Sequence, residues 1–474
     1  MRKLILIIFL FSGFQSFAQE FSIKKGAVLD SIPVNDSISE TFAIYLPRDY
    51  QPNGSFPVIF VFDPEGRGRN AVQLFKAAAE NQGYVIAASN NILSEKTLAE
   101  NLTSAAYLIE NFITMISVDL NSVSVAGFSE GARVAIAVPA LFDGIFGVIA
   151  VGNHQINFKM LEKLEKFFFI AITGNAEIAD YGVDLTVQEL KNAGFPAVNY
   201  SFQGEHEWPD ANLISSAVGS LTLEAMKTGK RAKDVSLINE LYQQDIGRAN
   251  KLISTGSYLQ ASEFLSLLES KYEDLYDLSE IREKQRNLQL SRNYREQEQN
   301  VSEVKAREFG LLDDFIYYLN EDIATANFAN LGWWNYQKLQ LEEFRNSENK
   351  AEAAMGNRLL TYMDELVAYK TKEMEATIAP LENKLLAYML QTVFDQTDFD
   401  AYKKVISLSA KDYDFPTALF YLEEMLKNGY KDMESLYEIE GTLGLKITPE
   451  FNWLIKKYLG SSKFFEEVNP FLND

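Results

Sequence analysis

The sequence predicts an α/β fold, a doubly wound and mostly parallel sheet, followed by an all-α region of helical hairpins. Short apolar runs alternate with helical patterns up to about residue 230, and almost only helical periodicity follows. The chain has 474 residues, which is too long for a single hydrophobic core, so more than one domain is expected. Its composition, 47% hydrophobic and 23% charged, is typical of folded proteins. We therefore expect an α/β domain over residues 19–230 and a helical domain over residues 231–474.

Apolar runs without polar alternation predict the strands of the first half, because strands buried on both faces have this pattern. The runs are residues 41–46, 57–62, 84–88, 123–127, 145–151, 167–172 and 198–202. Apolar residues at helical spacing predict helices over residues 96–115, 132–141 and 183–193. In a sheet of this kind the ligand site lies at the carboxyl ends of the strands.

The second half has amphipathic helical patterns, for example over residues 238–252, 381–394 and 449–458. The polar stretch 279–307 predicts either a long exposed helix or a flexible connector. Residues 249–270 and 416–436 resemble tetratricopeptide-type helical hairpins, although the full repeat signature is absent.

The first 18 residues have the pattern of a secretory signal peptide. Arg2 and Lys3 form a basic start, residues 4–14 are apolar, and Ser16 and Ala18 form a small-residue cleavage site. We expect a cleaved signal and an exported protein, periplasmic or extracellular; an uncleaved N-terminal anchor is the alternative. No later stretch has the length of a membrane span.

Charge and cysteine content exclude several kinds of site. The chain has no cysteine, which excludes disulfides, cysteine catalysis and thiolate metal ligation. Its net charge is −22, and such a surface repels nucleic acid and anionic lipid. A neutral or cationic partner suits this charge, although solubility alone also explains it. No phosphate-binding glycine loop and no histidine-rich zinc cluster is present, so we expect no metal site.

The motif Gly127-Phe128-Ser129-Glu130-Gly131 makes Ser129 the candidate nucleophile. A predicted strand precedes it and a predicted helix follows it, which is the context in which a Gly-x-Ser-x-Gly sequence has chemical meaning. Its glycines are needed because the nucleophile lies on a strained turn with close neighbours. The alternative is a glycine-rich turn in a non-catalytic α/β domain.

The chain has two histidines, and His206 is the candidate base. It follows the last predicted strand and lies after the serine, as in the chain order Ser, acid, His. His206 would take the Ser129 proton and return it to the leaving group. His154 follows the predicted strand 145–151, so it would line the substrate cleft or be an ordinary polar loop residue.

Residues 128–133 (FSEGAR), together with the Gly-x-His-x-Trp-Pro element at 204–209, resemble secreted α/β-hydrolases of the esterase and polyhydroxyalkanoate-depolymerase-like group over about residues 40–227. The resemblance implies an acyl-serine mechanism, a Ser–His–acid triad and no cofactor. The family acid follows the strand before the histidine, where spacing favours Glu177, with Asp180 as the alternative and Asp184 third.

An oxyanion hole needs two backbone N–H groups. Glu130, the residue after the nucleophile, would supply one. The other would come from Glu65 or Gly66, because Pro64 has no N–H and the His-Gly pair frequent in the family is absent. Carboxylates at Asp63, Glu65 and Glu130 would disfavour an oxyanion if they pointed inward.

These residues predict an exported hydrolase of an ester, less favourably an amide, that is a small molecule or attached to a polymer. The alternative is a degenerate hydrolase scaffold whose helical half binds a protein partner. The aromatic sequence 333–336 (WWNY) could bind a sugar or a partner, but its leucine neighbours favour a packing role.

Overall fold

A sheet with helices on both faces forms the first half of the protein. The structure is a computed structural model and describes residues 24–464 except residues 154, 162, 179 and 377. The expected signal at residues 1–18 and the candidate His154 therefore lie outside the described residues.

Eight strands of the described residues form one sheet in the order β1-β2-β4-β3-β5-β6-β7-β8. Their bounds are β1 (Val28–Pro33), β2 (Thr41–Tyr45), β3 (Val58–Phe62), β4 (Val85–Ser89), β5 (Val123–Phe128), β6 (Ile145–Val151), β7 (Phe168–Gly174) and β8 (Ala197–Phe202). The β1–β2 and β2–β4 pairs are antiparallel and all others are parallel. This arrangement confirms the predicted doubly wound, mostly parallel α/β-hydrolase class.

Strands β2–β8 coincide with the seven predicted apolar runs, whereas β1 was not predicted. This edge strand has a bulge between Leu29 and Ile32, and Ser31 has a φ of 56°. Its exposed residues Asp30 and Ser31 interrupt any apolar pattern, so no continuous apolar run marks β1 in the sequence.

Helices cover both faces of the sheet. They are α1 (Gly68–Gln82), α2 (Leu98–Met115), α3 (Glu130–Ala137), α4 (Phe158–Leu161), α5 (Asp180–Asn192) and α6 (Ala211–Lys227). Phe75 of α1 and Val218 of α6 belong to the core on one face, and Phe112 of α2 and Val134 of α3 belong to the core on the other. Burial on both faces explains why the strands are almost entirely apolar.

The parallel register brings the carboxyl ends of the six strands β3 to β8 to one edge of the sheet. Phe62 of β3 is opposite Gly127 of β5, and Phe128 is opposite Val151 of β6. Val151 is in turn opposite Ile172 of β7, whose last residue is opposite Phe202 of β8. The segments that leave these strands therefore meet at this edge, where Ser129 and His206 also lie.

The second half is helical, as predicted. Its helices are α7 (Val235–Ser254), α8 (Tyr258–Tyr272), α9 (Ser279–Leu290), α10 (Arg292–Thr325), α11 (Leu331–Arg345), α12 (Lys350–Glu375), α13 (Leu381–Phe394), α14 (Phe399–Lys411), α15 (Phe415–Lys427), α16 (Met433–Glu438), α17 (Leu443–Lys446) and α18 (Pro449–Leu459). The polar stretch 279–307 is helical and forms α9 and the first part of α10. In the part of the chain that the structure describes, no helix combines the length and apolar character that crossing a membrane requires.

Helices α7 and α8 share a hydrophobic core with the sheet. Leu241 and Leu265 belong to the same buried cluster as Ile170 of β7. Beside this cluster, Lys271 of α8 forms a buried ion pair with Asp245 of α7 over 2.7 Å. The hydrophobic core therefore continues past residue 230 into the helical half.

Candidate active site

Ser129 lies on a strained turn between β5 and α3. Its backbone has a φ of 53° and a ψ of −120°, which are unfavourable for a residue with a side chain. A Cβ atom at Gly127 would lie 2.1 Å from the Gly131 carbonyl oxygen, and one at Gly131 would lie 2.1 Å from the Phe62 oxygen. Both glycines are therefore required for the close packing that presents the serine at the end of the strand.

The structure brings Ser129, His206 and Glu177 into one hydrogen-bonded chain. His206 Nε2 lies 2.8 Å from Ser129 Oγ, and His206 Nδ1 lies 2.7 Å from Glu177 Oε1. A carboxylate can only accept, so Nδ1 carries the proton and Nε2 is left to accept from the serine hydroxyl. This arrangement can accept a proton from Ser129 and stabilise the imidazolium that results.

Glu177 contacts the histidine, whereas Asp180 and Asp184 have other neighbours. The Glu177 side chain is buried, and its Oε2 accepts the Gly174 N–H over 3.2 Å. Asp180 begins α5, and burial raises the pKa of its carboxyl to about 6. Asp184 accepts from the side-chain amide of Asn199 over 3.3 Å. Among the three carboxylates that the sequence left open, the geometry places Glu177 against His206.

The pKa of His206 is raised above its usual value. The largest cause is the hydrogen bond with Glu177, while partial burial acts in the opposite direction. The charge of Glu365 on α12 also raises the pKa of His206. Sequence reasoning missed Glu365, because the residue is far from the motif along the chain and belongs to the helical half.

Glu130 is the first residue of α3, so its N–H has no carbonyl acceptor within the helix and can be donated outside it. The two candidates for the second donor, Glu65 and Gly66, differ from Glu130 because their N–H groups already have acceptors. Glu65 N–H donates to Asp63 Oδ1 over 3.0 Å, and Gly66 N–H donates to the Asp63 carbonyl oxygen over 3.1 Å. Both of these groups have acceptors within their own loop.

The carboxylates near the serine are paired with cations or N–H donors. Asp63 is buried and accepts from Arg67 over 3.1 and 3.2 Å and from the indole of Trp208 over 2.8 Å. Glu65 forms an ion pair with Arg67 over 2.9 Å, and Glu130 forms one with Arg133 over 2.7 Å. Sequence reasoning had not assigned Asp63 and Trp208 a shared contact.

Gly152 lies against Glu177 and His206 and has a φ of +71°. A Cβ atom at this position would lie 3.0 Å from Glu177 Oε1, 3.0 Å from His206 Cε1 and 3.0 Å from a ring carbon of Phe128. The Phe128 ring lies 4.7 Å from the imidazole, centre to centre. Gly152 and Phe128 therefore form the wall against which the acid and the histidine pack.

No group of three or more metal-ligating side chains occurs among the described residues. Within the aromatic sequence of α11, Trp334 is 1% exposed and donates its indole N–H to Asp322 over 2.8 Å, whereas Tyr336 is 55% exposed. Trp333 is partly buried and packs edge-on against Trp334.

No protein-family model matches the sequence, and no curated protein matches it either. Among solved structures, the chain is similar to an esterase of the hyperthermophilic archaeon Pyrobaculum calidifontis, with 15% identity, coverage of 43% of this chain and 87% of that one, and a TM-score of 0.34. It is similar to esterase 2 of Thermogutta terrifontis, with 16% identity, coverage of 45% and 99%, and a TM-score of 0.33. It is also similar to Est1E from Butyrivibrio proteoclasticus, with 12% identity, coverage of 42% and 99%, and a TM-score of 0.34.

Proposed function

We propose that the protein is a serine hydrolase that cleaves a carboxylic ester, less favourably an amide, through an acyl-serine intermediate. The observation that carries the proposal is the hydrogen-bonded chain from Ser129 Oγ through His206 to Glu177, with distances of 2.8 and 2.7 Å. The strained backbone of Ser129 supports it, because such strain persists where the surrounding structure enforces it for function.

In the proposed reaction, His206 Nε2 takes the hydroxyl proton as Ser129 Oγ attacks the ester carbonyl. The tetrahedral intermediate bears its negative charge on the former carbonyl oxygen, to which the Glu130 N–H would donate. His206 then protonates the departing alcohol, and the acyl group stays on Ser129. A water molecule then attacks the acyl-serine carbonyl and gives a proton to His206, which returns it to Ser129 Oγ as the carboxylic acid leaves. Glu177 keeps the imidazole oriented and stabilises the imidazolium in both steps.

A fluorophosphonate probe together with p-nitrophenyl acetate hydrolysis tests this proposal. We expect the wild-type protein to be labelled and to hydrolyse the ester, and Ser129→Ala to do neither. Ser117→Ala is the matched control, because Ser117 is exposed and its hydroxyl bonds only to the Gly54 carbonyl among the contacts described. A folded wild-type protein that remains unlabelled would contradict the proposal.

The second candidate is a degenerate hydrolase scaffold that binds a protein partner through its helical half. One observation favours it: the N–H groups of Glu65 and Gly66, the expected second oxyanion donors, are already bonded within their own loop. This candidate predicts a folded protein that is inert toward the probe and toward short-chain esters. It also predicts that Ser129→Ala binds a defined partner with wild-type affinity.

We further propose that the protein is exported and meets its ester outside the cytoplasm. The basis is the signal-like pattern of residues 1–18. Sequencing the N-terminus of the mature protein tests this, with Gln19 as the expected first residue.

A further inference from the structure

The loop that carries Glu177 is attached to the sheet by its amide groups. The N–H of Asn175 donates to the Phe202 carbonyl oxygen over 2.9 Å, and the N–H of Ala176 donates to the Gly204 oxygen over 3.0 Å. These bonds fix the loop to the end of β8 and to the segment that leads to the histidine. They leave the carbonyl oxygens of the same two residues free to accept from elsewhere.

Those carbonyl oxygens accept from α12, in the helical half. Asn357 Nδ2 donates to the Ala176 oxygen over 3.0 Å, and Arg358 Nη1 donates to the Asn175 oxygen. The two carbonyls directly precede Glu177. The backbone that carries the triad acid is therefore bonded by the sheet on one side and by α12 on the other.

The guanidinium of Arg358 is held in place by a second helix. Its Nε and Nη2 donate to the two carboxylate oxygens of Glu308 on α10 over 2.9 and 2.7 Å. The side chains of Arg358 and Glu308 are 5% and 0% exposed. Arg358 Nε also lies 3.2 Å from the hydroxyl of Tyr181, which follows the acid loop.

A buried ion pair of this kind contributes little net stability, because removing two charges from water offsets most of their attraction. It does impose geometry, since the planar guanidinium fork bonds a carboxylate in one orientation and directs its remaining N–H groups. In Arg358, the N–H group that does not bond Glu308 donates to the carbonyl oxygen of Asn175. The geometry is thus suited to fixing the position of the acid loop.

We infer that Asn357 and Arg358 are positioning residues for the triad acid, so that the helical half is a working part of the active site. This inference rests on the proposed function, because Glu177 is a triad acid only if Ser129 is a nucleophile. Glu365 lies seven residues, about two helical turns, beyond Arg358 and so on the same face of α12. The charge of Glu365 raises the pKa of His206, which indicates that this face of α12 extends along the candidate active site.

Asn357→Ala and Arg358→Lys test the inference, because each removes or displaces one donor to the loop. The matched control is Arg307→Ala, which breaks an exposed ion pair between the same two helices, with Glu352 at 3.0 Å, without contacting the loop. The measurements are kcat and KM for p-nitrophenyl acetate, the thermal unfolding midpoint, and the pKa of His206 from NMR titration. The chain has only two histidines, so His154→Gln assigns the signals.

We expect Asn357→Ala to lower kcat by about 10-fold with little change in KM, within the roughly 100-fold that a 1 Å misplacement costs. We also expect the pKa of His206 to fall toward its ordinary value, because the bond to Glu177 is the main cause of its elevation. Arg307→Ala should change neither quantity. If Arg358→Lys does not fold, Asn357→Ala alone decides the inference.

A His206 pKa that is identical in the wild type, Asn357→Ala and Arg358→Lys would overturn the inference. A loss of kcat in Arg307→Ala as large as that in Asn357→Ala, with a matching fall in the unfolding midpoint of each, would overturn it as well. If the wild-type protein hydrolyses no ester and takes no probe, the proposed function fails. The NMR titration then still decides whether α12 positions Glu177.

Discussion

Trp208 donates its indole N–H to the buried carboxylate of Asp63 over 2.8 Å, so the histidine loop and the segment after β3 are directly bonded. Asp63 has two further donors, Arg67 and the Glu65 N–H. These donors compensate the negative charge of Asp63 beside the candidate active site.

Trp208→Phe should destabilise the protein by about 1.5–3 kcal/mol, the range for a hydrogen bond to a charged group. It should also lower kcat, because Trp208 follows His206 by two residues and anchors its loop. Urea unfolding and steady-state kinetics measure the two effects. Trp333→Phe, in the helical half, is the control, and equal losses of kcat in both variants would contradict the prediction.

Glu177→Gln should lower kcat by up to about 10⁴-fold, because an amide no longer enforces the Nδ1–H tautomer of the histidine. Asp180→Asn should leave kcat near the wild-type value, since Asp180 does not contact His206. Comparing the two variants with the same ester decides between the two candidate acids. A greater loss in Asp180→Asn would reverse the assignment.

The proposed base must be neutral to accept a proton, so kcat/KM should rise with pH as His206 loses its proton. The raised pKa of His206 places this rise above the ordinary histidine value of about 6.5. Glu365→Gln removes a charge that raises this pKa, so the acidic limb of the profile should move to lower pH. A limb that stays in place or moves upward would show that Glu365 does not act on the base.

Gly152→Ala should lower both stability and kcat. The left-handed backbone costs about 1–2 kcal/mol for a residue with a Cβ atom, and that Cβ would press on Glu177, His206 and Phe128 at 3.0 Å. Gly256 has a φ of +78°, and a Cβ atom there would meet no atom of the described residues within 4 Å, so Gly256→Ala has the same backbone cost without the contacts. We expect a lower unfolding midpoint in both variants, with the larger fall in Gly152→Ala, and a loss of kcat in Gly152→Ala alone.

Lys271→Met should destabilise the protein by about 3–5 kcal/mol, because it leaves the Asp245 carboxylate buried without its cation. Lys271 also donates to the Ser216 carbonyl of α6 over 2.7 Å, so the loss should affect the shared core of α6, α7 and α8. The double variant Lys271→Met with Asp245→Asn should recover part of the loss. Urea unfolding measures both, and a double variant less stable than the single one would contradict this account.

The sequence predicted the elements whose signals are local. Strands β2–β8 were evident because residues buried on both faces of a sheet form uninterrupted apolar runs. Ser129 and His206 could be nominated as candidates because strand ends and chain order place them. Spacing also favoured Glu177, whose Oε1 lies 2.7 Å from His206 Nδ1 in the structure.

The remaining features depend on contacts between distant parts of the chain. The bonds from Asn357 and Arg358 to the acid loop span 181 and 183 residues, and no local pattern encodes such a pairing. The N–H group of Glu65 or that of Gly66 was expected to be the second oxyanion donor. Asp63 accepts both of them, through its side chain and its carbonyl, and that contact depends on how the turn folds.

The bonds from α12 to the acid loop also set an order of events during synthesis. A ribosome makes Ser129, Glu177 and His206 well before it makes Asn357 and Arg358, which bond residues 181 and 183 positions earlier. A nascent chain that has folded only its sheet would contain Ser129 and His206, with the loop of Glu177 bonded on one side alone. On the inference above, catalytic competence would arrive late, after most of the polypeptide has been completed.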